Sequence, residues 1–231
     1  MKILLIDTCG ATGSVALADE SAVVASATLP GRTASERLVP AIRDLTADSL
    51  HSLDAVAVVH GPGSFTGVRV GISAAKGLCE PLGLPLVAIS RLAVVAHLAE
   101  APSGTLIYAL LDAGRGEFYV GGYMDGNRLR ESLMTRDELL TVLDSNAAQA
   151  YAVVACEPVV VEALLALSPR LLAEPLAEDA MPLVLRRIRQ RDFDDPATLD
   201  ANYLRRTDAE IFAKPQPGSA ATSRTAGTSV R

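Results

Sequence analysis

The chain has 231 residues, 49% of them hydrophobic, and a formal charge of −6. That hydrophobic share supports a real core and excludes a wholly disordered chain. The acidic balance, with a pI near 5.1, excludes strong nucleic-acid binding by the chain alone, because phosphate contacts need clustered Lys and Arg.

In chain order, "KILLIDT" reads as a buried strand ending at Asp7, "CGATGS" as a turn, and "VALAD" and "AVVASATL" as two further strands of antiparallel hairpins. A helix follows over "TASERLVPAIRDLTADSL". Thr33 and Glu36 fit a capping box, and Leu38, Ile42 and Leu45 recur at helical spacing as its core stripe. Pro40 should kink or loosen its first turns. Next come a strand at 55–59, the loop "HGPGSFTG", and a helix from about Thr66, which is placed to cap it. "LPLVAIS" is another strand, and Ser90 caps a helix through "RLAVVAHLAE".

"APSG" at 101–104 marks a lobe boundary, after which the pattern restarts. "TLIYALLDAGRGEFYVGGYMDGNRLRESL" repeats the order strand, aspartate (Asp112), glycine turn, strand, acidic turn, strand, and a helix and a strand follow. This weak internal repeat predicts a duplicated α/β protein with a cleft between two lobes, at 1–100 and 103–212. The polar, Pro-, Gly-, Ser- and Thr-rich stretch 213–231 is expected to be a disordered tail. Three well-separated cysteines without C-x-x-C spacing read as reduced core thiols of a cytoplasmic protein. An aspartate at position 7 interrupts any signal-peptide reading, and no run reaches the roughly 20 apolar residues of a membrane span.

The glycine-rich loop is the main chemical motif. It fits neither the P-loop nor G-x-G-x-x-G, since Gly67 comes one residue late. Gly61 and Gly63 let backbone approach a phosphate or a packed helix closely. Asp7 and Asp112, each beside a glycine turn, either orient a metal's water or cap the turns. The second half carries "VVACEPV" where the first has "VVHGPGS", so a symmetric phosphate clamp is not expected. The three histidines lack metal-ligand spacing, no G-x-S-x-G elbow is present, and Ser64 has no evident base. Gly67, Gly71 and Gly77 cost helix stability, which points to close packing on that face, within the lobe or against a partner helix. Arg186, Arg187, Arg189 and Arg191, with Arg205 and Arg206, form a basic stretch that is either a solvated helix face or an RNA or partner contact.

Taken together and in this order, "ILLIDT…SVAL", "SERLVP", "HGPGSFTGVRVGISAAKGL", "ALLDAGRGEFY" and "YLRR" resemble the bacterial TsaB (YeaZ) family from residue 2 to about 212. The resemblance implies the duplicated actin-like ATPase fold of the ribonuclease H-like class (ASKHA). It also implies a non-catalytic accessory subunit for making N6-threonylcarbamoyladenosine in tRNAs that read ANN codons. Its partners would be the catalytic paralogue TsaD and the ATPase TsaE, with tRNA bound only through the complex. In TsaD an H-x-x-x-H pair holds a metal. The corresponding helix here, "TASERLVPAIRD", has no histidine, so no metal and no catalytic residue are expected. Asp7, Thr8, Gly61, Gly63 and Ser64 would be a vestigial nucleotide site, with no cofactor required and only weak adenine nucleotide binding. Glu36, Arg37, Val39, Ala41, Arg43, Arg69 and Gly71 would form the partner interface, and homodimerisation of the isolated chain stays open. The family's pattern differs here at "CGATG" and at Asn202, where a proline is usual. A small-molecule kinase or ATPase of the same fold is the competing reading. A metal-free peptidase is disfavoured because no nucleophile–base pair is evident.

Overall fold

The computed structural model describes residues 1–30, 33–47, 49–146 and 148–204. The first sheet holds β1 (Ile3–Asp7), β2 (Gly13–Ala18), β3 (Val23–Leu29), β4 (Ala55–Val59) and β5 (Leu86–Ile89), in the order β3-β2-β1-β4-β5. β1, β2 and β3 pair antiparallel, whereas β1, β4 and β5 are parallel. The second sheet holds β6 (Leu106–Gly114), β7 (Glu117–Met124), β8 (Asn127–Thr135), β9 (Tyr151–Ala155) and the two-residue β10 (Arg170–Leu171), ordered β10-β9-β6-β7-β8. Read from β8, this is the same wiring. The repeat expected from sequence is therefore a real duplication, and the chain has the two-lobed actin-like α/β architecture.

The residues explain the layers. β1, β4 and β5 are apolar and covered on both faces, as parallel strands between helices must be. β3 forms the edge, and its burial alternates. α1 (Ala34–Thr46) buries Leu38 and Ile42 on the first lobe, with Leu45 partly buried. The capping box expected at its start is absent. Thr33 adopts φ −107°, ψ 6° instead of an extended N-cap geometry, and its hydroxyl donates back to the Pro30 carbonyl at 3.1 Å. Pro40 lies inside α1 on its exposed side, where water can serve the carbonyl left without a donor. The capping box occurs instead in the second lobe, where Thr135 and Glu138 satisfy each other's amides at the start of α4 (Arg136–Ser145). α2 (Phe65–Leu82) begins one residue before Thr66. Its N-cap is Ser64, whose hydroxyl accepts from Gly67 N at 3.3 Å. α5 (Pro158–Ala163) is the second lobe's short counterpart of α2.

The two lobes exchange helices. α3 (Arg91–His97) follows β5, with Ser90 at its N-cap position but making no side-chain cap bond. Leu92, Val95 and Ala96 of α3 nevertheless pack with Ala109, Leu111 and Tyr123 of the second sheet. Conversely, α6 (Met181–Arg189) and the turn before it bury Ala177, Ala180, Leu183 and Val184 in the first lobe's core. The sheets divide between residues 89 and 106, but residues 177–188, assigned from sequence to the second lobe, belong to the first by packing. The sequence gap between them hides this swap, because an apolar helix face does not encode which sheet covers it. The stretch 213–231 lies outside the described residues.

Candidate functional site

Asp7 ends β1 and is buried. Its Oδ1 accepts from Cys9 N at 2.8 Å, and its Oδ2 has no partner among the described residues. Asp112 makes the same bond two residues on, its Oδ1 accepting from Gly114 N at 2.9 Å, but it is exposed. Both aspartates thus cap turns. Burial raises the Asp7 pKa, while the nearby Arg91 guanidinium opposes that shift.

The loop after β4 is laced to the β1–β2 turn. Ser64 N donates to Cys9 O at 2.8 Å, the Cys9 thiol to Val59 O at 3.1 Å, and the Thr8 hydroxyl to Gly67 O at 2.6 Å. A Cβ at Gly63 would lie 2.4 Å from Cys9 O, and one at Gly71 2.5 Å from Thr8 Oγ1. Gly61 has φ +102°, a conformation that favours glycine. These glycines serve contact within the lobe. Gly71 is buried against Thr8, Ile6 and Val58, so it does not belong to a partner surface. Gly77 is exposed, and a Cβ there would meet nothing within 4 Å among the described residues.

Between the lobes runs a cleft of about 780 Å³. Thr8, Gly63 and Ser64 line it from the first lobe and Asp112, Glu157 and Val159 from the second, whereas Asp7 and Gly61 lie behind the wall. Its charged floor was not legible in the sequence. Arg91 is only 2% exposed and pairs with Glu174, Nη2 to Oε1 at 3.2 Å. Glu157 replaces the glycine loop in the second lobe and accepts from Asp112 N. Burial raises the Glu157 pKa. The one available signal was Arg91 itself, a charge opening an otherwise apolar helix. Its partner lies 83 residues away, out of reach of any local pattern. Among the described residues no group of three or more His, Cys, Asp or Glu side chains is placed to hold a metal ion. Cys9, Cys79 and Cys156 are free buried thiols, and no described helix is long and apolar enough to cross a membrane.

A second feature lies on the outer side of α1 and α2. Val39 is 57% exposed and Phe65 56%. They flank a groove of about 560 Å³ whose floor includes Leu38 and Val70. The Arg69 guanidinium lies 3.6 Å from the Phe65 ring centroid, and its Nε donates to the Tyr203 hydroxyl at 2.8 Å. Glu36, Arg37 and Arg43 are exposed around this patch. Ala41 is partly buried on its own lobe's core, because it shares the inner flank of the helix with Leu38 and Leu45, and so it leaves the expected interface.

The basic stretch is divided. Arg187 binds Asp192 at 2.7 Å, Asp194 at 2.8 Å and the Ala88 carbonyl at 2.7 Å, and Arg186 donates to Gly126 O at 2.7 Å. Arg189 and Arg191 are exposed, while Arg205 and Arg206 lie outside the described residues. Asn202 ties the C-terminal segment to both lobes. Its backbone N donates to His60 O at 2.8 Å and its Nδ2 to Glu131 Oε2 at 2.7 Å.

The chain and its fold have relatives among known proteins. A family profile described as "TsaD: tRNA N6-adenosine threonylcarbamoyltransferase" matches residues 28–138. The tRNA threonylcarbamoyladenosine biosynthesis protein TsaB of Escherichia coli is 39% identical over 127 residues, 53% of this chain and 55% of that protein. The TsaB of Bacillus subtilis is 38% identical over 138 residues, 58% of this chain and 60% of that one. YeaZ from Pseudomonas aeruginosa superposes with a TM-score of 0.72 at 28% identity, covering 88% of this chain and 99% of that one. The chain belongs to the TsaB (YeaZ) family. The matched segment spans a little more than half the length of the curated TsaB relatives. The structural match to YeaZ extends the TsaB-family likeness across both lobes.

Proposed function

We propose that the chain is an accessory subunit in the biosynthesis of N6-threonylcarbamoyladenosine in tRNA. In this reading it pairs with a catalytic paralogue of the TsaD family, and an ATPase of the TsaE type joins the pair. Transfer chemistry belongs to the paralogue, and the chain itself is a cytoplasmic, non-catalytic partner that needs no cofactor. The observation that carries the reading is the exposed Val39–Phe65 patch on α1 and α2, apolar at its centre and rimmed by Glu36, Arg37 and Arg43. An apolar centre with a charged rim is the anatomy of a protein interface. The family membership and the names of the relatives supply the pathway. The charge of −6 argues that tRNA is engaged through the assembled complex.

Co-elution with the TsaD-type partner tests this. Val39→Arg should leave the circular dichroism spectrum unchanged and abolish pairing. Normal pairing by both Val39→Arg and Arg69→Ala would place the interface elsewhere. Threonylcarbamoyl transfer or sustained ATP turnover by the isolated chain would overturn the non-catalytic assignment in favour of a kinase-like one.

A further inference from the structure

The first hairpin of the cleft carries an anion of the chain's own. Three donors converge on one oxygen of Glu174. Ala11 N lies 2.7 Å from Oε1, Thr12 N 3.4 Å, and Arg91 Nη2 3.2 Å. Two successive backbone amides beside a guanidinium form the kind of concavity that binds phosphoryl oxygens. Gly10 is part of it, since a methyl group there would lie 2.2 Å from Glu174 Oε1 and 2.5 Å from Arg91 Nη2. Arg91 is buried, and its Nε has no partner among the described residues. Glu174 comes from the segment between β10 and α6, so it spans from the second lobe to the turn of the first. Gly10, Ala11 and Arg91 line the large cleft, which gives the cradle an approach from solvent. In the second hairpin a single amide, Asp112 N, donates to Glu157.

We propose that the Ala11 and Thr12 amides and Arg91 form a phosphoryl-binding site, and that Glu174 is its built-in occupant, filling the cradle in place of an external anion. A carboxylate supplies the acceptor oxygen that a phosphoryl group would otherwise bring. Its removal leaves a buried cation that a mobile oxyanion compensates. The acidic groups that also act on Arg91, Asp7 and Glu157, stay in place and temper the affinity.

Thermal unfolding of the full chain tests the proposal, with inorganic phosphate titrated against chloride at constant ionic strength. The wild type should show no phosphate-specific rise in Tm. Glu174→Ala should melt lower in chloride, and its Tm should climb with phosphate as mass action requires. Glu174→Gln keeps the volume and an acceptor oxygen. It should fold even where the alanine variant does not, and it should show the same phosphate-dependent rise on a smaller scale, with broadening of the phosphate 31P resonance. Adding Arg91→Gln to either variant should remove the response. A larger rise with ADP than with phosphate assigns the site to a nucleotide's phosphates, and an equal rise assigns it to free phosphate; both support the cradle. An equal phosphate response in wild type and variants, or none in the Gln variant, overturns it.

Discussion

Gly67 packs directly under Thr8. A Cβ at Gly67 would lie 1.9 Å from the Thr8 carbonyl oxygen, and the Thr8 hydroxyl donates to the Gly67 carbonyl at 2.6 Å. Backbone meets backbone here, so neither side can yield as a flexible side chain would. Gly67→Ala should therefore destabilise the chain by about 1–3 kcal/mol or more, the range for overpacked sites. A Cβ at Gly77, ten residues along the same helix, would meet nothing within 4 Å among the described residues. Gly77→Ala should stabilise the isolated chain by up to about 1 kcal/mol through helix propensity alone. Urea unfolding of the two variants checks both signs. A Gly77→Ala variant that is more stable alone yet pairs poorly would assign Gly77 to the partner face.

Arg187 should behave as a structural residue. It holds Asp194 and the Ala88 carbonyl together, and Asp194 Oδ2 also accepts from Ala88 N at 2.7 Å. Arg187→Met leaves these acceptors on β5 and its flank short of a donor and should cost about 1–3 kcal/mol. The loss should appear in urea unfolding of the isolated chain. Arg189 is exposed, so Arg189→Glu should leave stability within about 0.5 kcal/mol. Its effect on tRNA binding by the complex then reports RNA contact without a folding artefact. Unchanged affinity would make the face merely solvated.

His60 predicts an acid-labile contact. Burial lowers its pKa below 6.5, against the raising effect of its bond to the Asp200 carbonyl at 3.3 Å. As pH falls below 6.5 the unfolded chain takes up a proton that the folded chain resists, so stability falls until the lowered folded pKa is reached. His60→Gln should flatten this part of the stability–pH profile. Asp7 has the opposite sign. Its raised folded pKa means that stability grows as pH falls from that value toward 3.8. Denaturant midpoints measured across this range for wild type and the His60 variant separate the two, and an unchanged slope on substitution would remove His60 from the account.

The capping box of the second lobe gives a smaller, local expectation. Thr135 Oγ1 accepts from Glu138 N at 3.3 Å, and Glu138 accepts from Thr135 N at 2.7 Å. Thr135→Ala should cost about 1 kcal/mol of stability. Thr33→Ala should cost less, since the Thr33 hydroxyl caps no amide of α1. The two substitutions compared by thermal melting test whether capping geometry, rather than the S/T-x-x-E pattern, carries the energy.

Local periodicity and turn chemistry were enough to read the strand at 55–59, the hairpin order of both halves and the Leu38–Ile42 stripe, because these depend on neighbours along the chain. The repeated strand–aspartate–glycine pattern was also sufficient to predict the duplicated α/β architecture. Tertiary structure alone decided what depends on residues far apart. It turned Gly67 and Gly71 toward Thr8 rather than a partner, since sequence shows that a glycine permits close approach but not what approaches. It sent α3 and α6 to opposite lobes, because an apolar helix face is equally suited to either sheet. It brought Glu174 onto the amides of Ala11 and Thr12 across more than 160 positions, where a charge-assisted contact is fixed by the path of the folded chain and leaves no periodic trace.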